Sequence, residues 1–75
     1  MDDDKLIHMA NQIGQFFAAM PDHHEAVDGV ATHLRKFWEP RMRRQIFAAV
    51  DAQRAQGLTP IVAEALAKHR STLRP

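Results

Sequence analysis

The sequence predicts a small all-α protein, a compact bundle of about four short helices in a single domain spanning residues 1–75. No segment alternates polar residues with β-branched ones as a strand does, and Ala, Leu, Gln, Arg and Met dominate instead. Residues that break helices divide the chain into segments whose apolar residues recur at helical spacing. These residues are Pro21, Pro40, Gly57 and Pro60. The short links between the segments favour antiparallel neighbours.

The first two helices are bounded by local start and stop signals. The first spans about residues 3–19, where early aspartates complement the helix dipole and Pro21 ends the helix. The second spans about residues 23–37, because Asp22 is a good N-cap and Glu25 falls at the third helical position.

The third and fourth helices each begin at a proline. Pro40 suits the first helical position, so we expect the third helix to run from Pro40 to about residue 56, with Gly57 just beyond its end. The fourth begins with Thr59 as N-cap and Pro60 at the first position. The final residues, 71–75, are expected to fray.

Gly14 and Gly29 fall inside the first two predicted helices. A glycine in a helix interior costs about 1 kcal/mol relative to alanine unless a neighbouring helix packs close to it. We therefore expect close helix contacts at both positions, and two glycines facing each other would be the simplest arrangement.

The composition excludes several classes of function. The chain has 75 residues, of which 45% are hydrophobic, and it has no cysteine, so it offers no disulfide, no thiolate zinc site and no thiolate ligand for an iron–sulfur cluster. No apolar run approaches the ~20 residues that span a membrane. The acidic start, residues 1–5, lacks the apolar segment of a signal peptide. We therefore expect a cytoplasmic protein.

Charge is distributed unevenly along the chain. The net charge is +1, yet residues 1–34 carry six acids against one lysine, and residues 35–75 carry nine basic residues against three acids. This asymmetry predicts either contact between acidic and basic parts of the chain or an oriented partner.

Half of the lysines and arginines lie within a ten-residue window, and we call them the basic cluster: Arg35, Lys36, Arg41, Arg43 and Arg44. Three of these side chains crowd the first turn of the third helix, where the dipole disfavours cations. A partner with an acidic surface would explain the cluster, as would a small anion such as a cofactor phosphate. The remaining explanation is pairing within the chain, to Asp22, Glu25, Asp28 or Glu39, together with ordinary solvation of the other charges.

Aromatic and amide residues beside this cluster also have more than one interpretation. Trp38, the only tryptophan, would either plug the core between the second and third helices or anchor in a partner. Asn11 lies either on an exposed polar face or where its amide bonds the turn at residues 38–40 or a partner backbone. The chain has more aromatic side chains than one small core needs, so some are expected at an interface: Phe16, Phe17, Phe37, Trp38 and Phe47.

Motifs for catalysis and metal binding are missing. The five histidines include no His-x-x-x-His pair, and the chain has no Gly-rich phosphate loop, nucleophile elbow or thiol. We therefore expect no catalytic residue and no metal ligand in this chain.

Three runs of the sequence resemble one known family. They are residues 9–13 (Met-Ala-Asn-Gln-Ile), the pair Phe16-Phe17 and residues 33–43 (His-Leu-Arg-Lys-Phe-Trp-Glu-Pro-Arg-Met-Arg). Together they resemble the delta subunit of cytoplasmic NAD-dependent formate dehydrogenases that contain molybdenum or tungsten. The resemblance covers about residues 5–66, and its most specific part is the Phe-Trp-x-Pro-Arg-Met-Arg core.

The resemblance implies a non-catalytic small subunit, or an assembly or maturation factor, of an enzyme that oxidises formate to carbon dioxide and reduces NAD. Other subunits would hold the molybdenum or tungsten pterin cofactor, the iron–sulfur clusters and FMN. This chain would dock on the catalytic alpha subunit and aid insertion or retention of the pterin cofactor. The candidate partner- or anion-binding residues are Asn11, Arg35, Lys36, Phe37, Trp38, Arg41, Arg43 and Arg44.

Two other functions stay open from the residues alone. A helical protein-interaction module with a different partner would require the same physical features. A small nucleic-acid-binding helical domain is favoured by the basic cluster. The net charge of only +1 disfavours it, as do the acids in residues 1–34, which phosphate would repel.

Overall fold

The computed structural model describes all 75 residues. It contains no strand and has five helices: α1 (Asp3–Ala18), α2 (His23–Phe37), α3 (Pro40–Asp51), α4 (Pro60–Lys68) and α5 (Arg70–Leu73). The predicted all-α bundle is confirmed, with α5 as one additional turn. Helix α2 packs against α1, α4 and α5, and α1 also contacts α3 and α4. None of the helices has both the length and the hydrophobicity needed to cross a membrane.

Side-chain caps and prolines set where the helices begin. Asp2 Oδ1 accepts a hydrogen bond from the Lys5 amide at 2.8 Å, and Asp22 Oδ1 accepts one from the Glu25 amide at 3.0 Å. The predicted extent of α2 is therefore confirmed at both ends. The predicted proline starts of α3 and α4 are also confirmed.

The prediction that α3 reaches residue 56 and ends at Gly57 is wrong. The helix ends earlier because Gln53 adopts a left-handed backbone conformation with φ of 58°. The Gln53 amide donates to the Val50 carbonyl at 3.1 Å, and the Arg54 amide donates to the Ala49 carbonyl at 2.8 Å. These two bonds form a Schellman motif, which satisfies the last carbonyl groups of the helix.

The core is one cluster of apolar side chains to which all five helices contribute. Trp38 belongs to this cluster with only 6% of its surface exposed, so the core interpretation of this residue is confirmed. The other members are Leu6, Ile7, Ala10, Val27, Val30, Ala31, Leu34, Ile46, Phe47, Val62, Ala65, Leu66 and Leu73.

The end of the chain includes an anchor in this core. Helix α5 places Leu73 at 1% exposure, and Arg43 Nη1 donates to the Leu73 carbonyl at 2.9 Å. The expected fraying of residues 71–75 concerns motion in solution. That expectation stays a prediction, as does the extent of one domain over residues 1–75.

Gly14 and Gly29 both lie at close contacts, but not with each other. A Cβ atom at Gly14 would lie 2.6 Å from Val62 Cγ2 on α4, and one at Gly29 would lie 2.5 Å from the Phe17 ring on α1. The expected close contacts are therefore confirmed. The expectation that the glycines face each other is wrong, because each glycine packs against a side chain of another helix.

Candidate partner-binding site

A row of aromatic rings lies along the contact between α1 and α2, and we call it the aromatic strip: Phe16, Phe17, His33 and Phe37. The ring centroids are 5.1 Å apart for Phe16 and Phe17, 6.2 Å for Phe17 and His33, and 4.7 Å for His33 and Phe37. Phe16 and Phe37 expose 74% and 70% of their surface to solvent. Exposed apolar patches of this kind mark interaction sites.

The helical repeat explains why these rings align. His33 and Phe37 are four positions apart on α2, so they lie on the same face of that helix. Phe16 and Phe17 are adjacent on α1 and point about 100° apart, so both cannot face the core. Phe17 packs over Gly29, where only a glycine leaves room for its ring. Phe16 is consequently the ring that faces solvent.

The aromatic strip borders an apolar groove of about 580 Å³ between α1, α2 and the start of α3. Trp38, which is almost fully buried, forms part of its lining. The remaining lining residues outside the strip are Met9, Gln12, Ile13 and Met42. Concave apolar surfaces with a few polar groups are typical of binding sites.

None of the five members of the basic cluster forms an ion pair within the chain. Asp22 caps α2, and Asp28 pairs instead with Lys68 and His69 at 3.3 and 2.8 Å. The acidic residues of the first half of the chain thus form their ion pairs with cations outside the basic cluster. The interpretation that internal acids neutralise the basic cluster is therefore wrong, while ordinary solvation, an acidic partner and a bound anion stay open as interpretations.

Within the basic cluster, Arg43 differs from the other members because it is half-buried. Its Nη1 bonds the Leu73 carbonyl, and its Nε is buried without a hydrogen-bond partner. The guanidinium therefore joins the start of α3 to the end of α5, which is a structural contact. A direct contact of Arg43 with a partner or anion stays a prediction.

The four exposed members of the basic cluster belong to two helices, Arg35 and Lys36 to the end of α2 and Arg41 and Arg44 to the start of α3. Lys36 lines a shallow pocket together with three rings of the aromatic strip, and Arg41 directly precedes a methionine that lines the groove. Arg35 lies two positions from both His33 and Phe37, about 160° around the axis of α2, whereas Arg41 and Arg44 are three positions apart and share a face at the start of α3. Lys36 is thus the member that the structure places beside the aromatic strip.

The carboxamide of Asn11 bonds the loop between α3 and α4. Its Nδ2 donates to the Gly57 carbonyl and its Oδ1 accepts from the Thr59 amide, both at 2.9 Å. The alternative in which the amide bonds the turn at residues 38–40 is therefore wrong, because the amide bonds the loop before α4 instead. A direct contact between Asn11 and a partner stays a prediction.

Two carboxylates, Asp28 and Asp51, are held in their charged form by basic neighbours. Hydrogen bonds from His69 and then from Lys68 lower the pKa of Asp28. A hydrogen bond from Arg70 lowers the pKa of Asp51. These pairs connect α5 and the end of α4 to α2 and α3, so they stabilise the bundle and leave the groove unchanged.

A second apolar cavity, of about 430 Å³, lies between the end of α3, the following loop and α4. Its lining includes Phe47, Leu58, Leu66 and Ala67. Arg70 borders it, and the guanidinium lies 5.0 Å from the centre of the Phe47 ring. This cavity has no exposed aromatic side chain comparable to Phe16 or Phe37.

Sequence reasoning identified Phe37 and the basic cluster but not the groove itself. It named the aromatic residues as too many for the core without separating exposed rings from buried ones. The adjacent phenylalanines at 16 and 17 carried a usable signal, because one helix face cannot bury both. His33 was missed, and its spacing of four residues from Phe37 was the available signal.

Comparison with known proteins gives one family. Neither the curated proteins nor the solved structures contain a match. The family model described as NADH-dependent formate dehydrogenase delta subunit FdsD matches residues 5–66. That range includes every residue of the aromatic strip, the groove and the basic cluster. The chain therefore belongs to the FdsD family, the delta subunits of NADH-dependent formate dehydrogenase.

Proposed function

We propose that this chain is a non-catalytic subunit of a cytoplasmic NAD-dependent formate dehydrogenase complex and that it docks on the catalytic alpha subunit. Family membership supports the choice of complex. One observation supports docking: the exposed Phe37 ring lies beside Lys36, a cation that has no ion pair within the chain. Phe, Met, Trp and Arg are also the residue types enriched at protein interfaces.

Under this proposal the redox chemistry belongs to the other subunits. They would hold the molybdenum or tungsten pterin, the iron–sulfur clusters and FMN, and they would oxidise formate to carbon dioxide while reducing NAD. The side chains of this chain do not fit a cluster or a metal centre, because it has no cysteine and no group of three or more His, Asp or Glu residues suited to a metal ion. We therefore assign it no step of the reaction.

A maturation role is a second form of the same proposal. Helix α3 begins at Pro40, and its N-cap residue Glu39 makes no side-chain hydrogen bond to it, so backbone N–H groups of the first turn have no side-chain acceptor. Arg41 and Arg44 are exposed at the same helix end. Guanidinium groups beside a helix N-terminus suit the phosphates of a pterin cofactor during its insertion or retention.

Co-purification tests the proposed function. The tagged chain is expressed in its native host, and the eluate is assayed for large subunits and for formate-dependent NADH formation. A stable subunit is expected to bring down the large subunits in fixed ratio with activity. A maturation factor would bring down large subunits that lack cofactor or activity. Elution of the chain alone, at the mass of a monomer, would contradict both forms.

A further inference from the structure

We propose that the groove binds an amphipathic, acidic α-helix of the partner subunit. The apolar face of that helix would lie on the aromatic strip, and its carboxylates would contact Lys36. This inference rests on the proposed function and specifies how the same site recognises its partner.

The apolar half of the site is already formed in the isolated chain. Phe16 and Phe37 are exposed at opposite ends of the aromatic strip, while Phe17 and His33, in the middle of the strip, are half-buried. Because the two exposed rings pack edge-on or tilted against their half-buried neighbours, they are pre-positioned for binding. Binding would thus require little ordering of side chains, which otherwise weakens association.

The charge of the side chains that border the groove determines which charge a partner segment should carry. Lys36 is exposed and has no ion pair in the chain. Glu25 lines the same shallow pocket as Lys36, but no ion pair joins them. Asp28 also lines that pocket, and its carboxylate is already bound to Lys68 and His69. Carboxylates of a partner would therefore be the first to neutralise this cation.

The backbone of the partner must satisfy its own hydrogen bonds. This chain is all-α and has no strand edge to which an extended peptide could add. The groove is lined by side chains from three helices, so it offers few backbone groups to an incoming peptide. A helix brings its N–H and C=O groups already paired, and it presents apolar side chains three and four positions apart. An acidic amphipathic helix therefore fits the groove better than an extended segment does.

Substitutions at the aromatic strip test the apolar contact. The double variant Phe16→Ala/Phe37→Ala removes two exposed rings, so the thermal midpoint is expected to stay close to wild type. Binding to the purified partner subunits is expected to weaken at least tenfold, because exposed aromatic anchors dominate interface energetics. The matched control is Ala67→Glu, which places a charge at the second cavity. Loss of binding in the control alone would assign the interface to that cavity and overturn the proposal.

A pair of charge reversals tests the charge that borders the groove. Lys36→Glu and Arg35→Glu change the net charge equally at adjacent positions of α2, but only Lys36 lines the pocket that contains three rings of the aromatic strip. We expect at least tenfold weaker binding for the first and less than threefold for the second. Equal weakening would show a general electrostatic attraction to the partner and would overturn the proposal.

Cross-linking identifies the partner segment. Replacing Phe37 with the photoreactive p-benzoylphenylalanine in the assembled complex is expected to label a helix of the alpha subunit in which acidic residues flank apolar ones. Labelling of a basic segment, a strand or nucleic acid would contradict the inference. Absence of the large subunits from the wild-type eluate would instead refute the proposed function. Their presence, together with unchanged binding by both groove variants, would refute the binding mode alone.

Discussion

Replacing Trp38 with alanine is expected to remove a large part of the stability of the free chain. The indole is 6% exposed and packs within the core cluster at the junction of α2 and α3. Truncating a buried tryptophan to alanine typically costs about 3–5 kcal/mol, because transfer energy is lost and a cavity remains. A chain of this size has a total unfolding free energy of only about 4–11 kcal/mol.

Thermal denaturation followed by circular dichroism at 222 nm measures this effect. Since about 1 kcal/mol shifts the midpoint of a small domain by roughly 4–8 °C, we expect Trp38→Ala to melt about 12–40 °C below wild type. Trp38→Phe is the matched control, because it keeps a ring in the core and should lose only about 1–2 kcal/mol.

A second probe checks that the transition is cooperative. Trp38 is the only tryptophan, so wild-type fluorescence reports unfolding from within the core and should give the same midpoint as circular dichroism. A Trp38→Ala midpoint within about 3 °C of wild type would refute the reasoning, because a buried ring cannot be removed from a core this small without loss.

Three further predictions concern the stability of the bundle. Asn11→Ala removes both hydrogen bonds to the loop at residues 57–59 and should lower the unfolding free energy, measured in urea, by about 1–3 kcal/mol. The exposed control Gln12→Ala should change it by less than about 0.5 kcal/mol. Equal losses would contradict the assigned role of Asn11. Gln53→Gly relieves a left-handed backbone and should raise the unfolding free energy by about 0.5–1 kcal/mol, and a lower thermal midpoint would show that the φ of 58° is not strained. Arg70 lowers the pKa of Asp51, so the pair stabilises the fold near neutral pH and this stabilisation is lost as the pH falls below about 4. Asp51→Asn should therefore flatten the acid side of the plot of melting temperature against pH. An acid side as steep as that of wild type would contradict this.

The helix starts could be predicted because their signals are local. Asp22 caps α2, and Pro40 and Pro60 begin α3 and α4, so each start depends on one or two residues that the sequence displays directly. The end of α3 could not be predicted in the same way. Its left-handed position is occupied by Gln53 although Gly57, the better residue for that conformation, lies four positions later.

Contacts between helices could be predicted in kind but not in detail. The two internal glycines indicated close packing, yet their partners depend on how each helix is rotated, and these partners are Val62 and Phe17. One interpretation of Asn11 was a bond to the turn before α3, but α1 packs so that its amide meets the loop before α4 instead. A single sequence does not specify these rotations.

The composition of the binding site was visible in the sequence, whereas its shape was not. The basic cluster lies within ten residues of the chain, but its exposed members are divided between the end of α2 and the start of α3. The groove depends on the junction of α1, α2 and α3, so it exists only after the bundle has formed. The tertiary structure thus places Lys36 beside the aromatic strip and half-buries Arg43, in a cluster that the sequence presents as uniform.

The most direct test of the central claim is quantitative co-purification of the alpha subunit with wild-type chain and with Phe16→Ala/Phe37→Ala. Both tagged forms are expressed in the native host, and the alpha subunit and formate-dependent NADH formation are measured in each eluate. We expect wild type to bring down the alpha subunit and the double variant to lose at least nine-tenths of it while remaining folded. Equal amounts of alpha subunit from both forms would contradict docking through the aromatic strip.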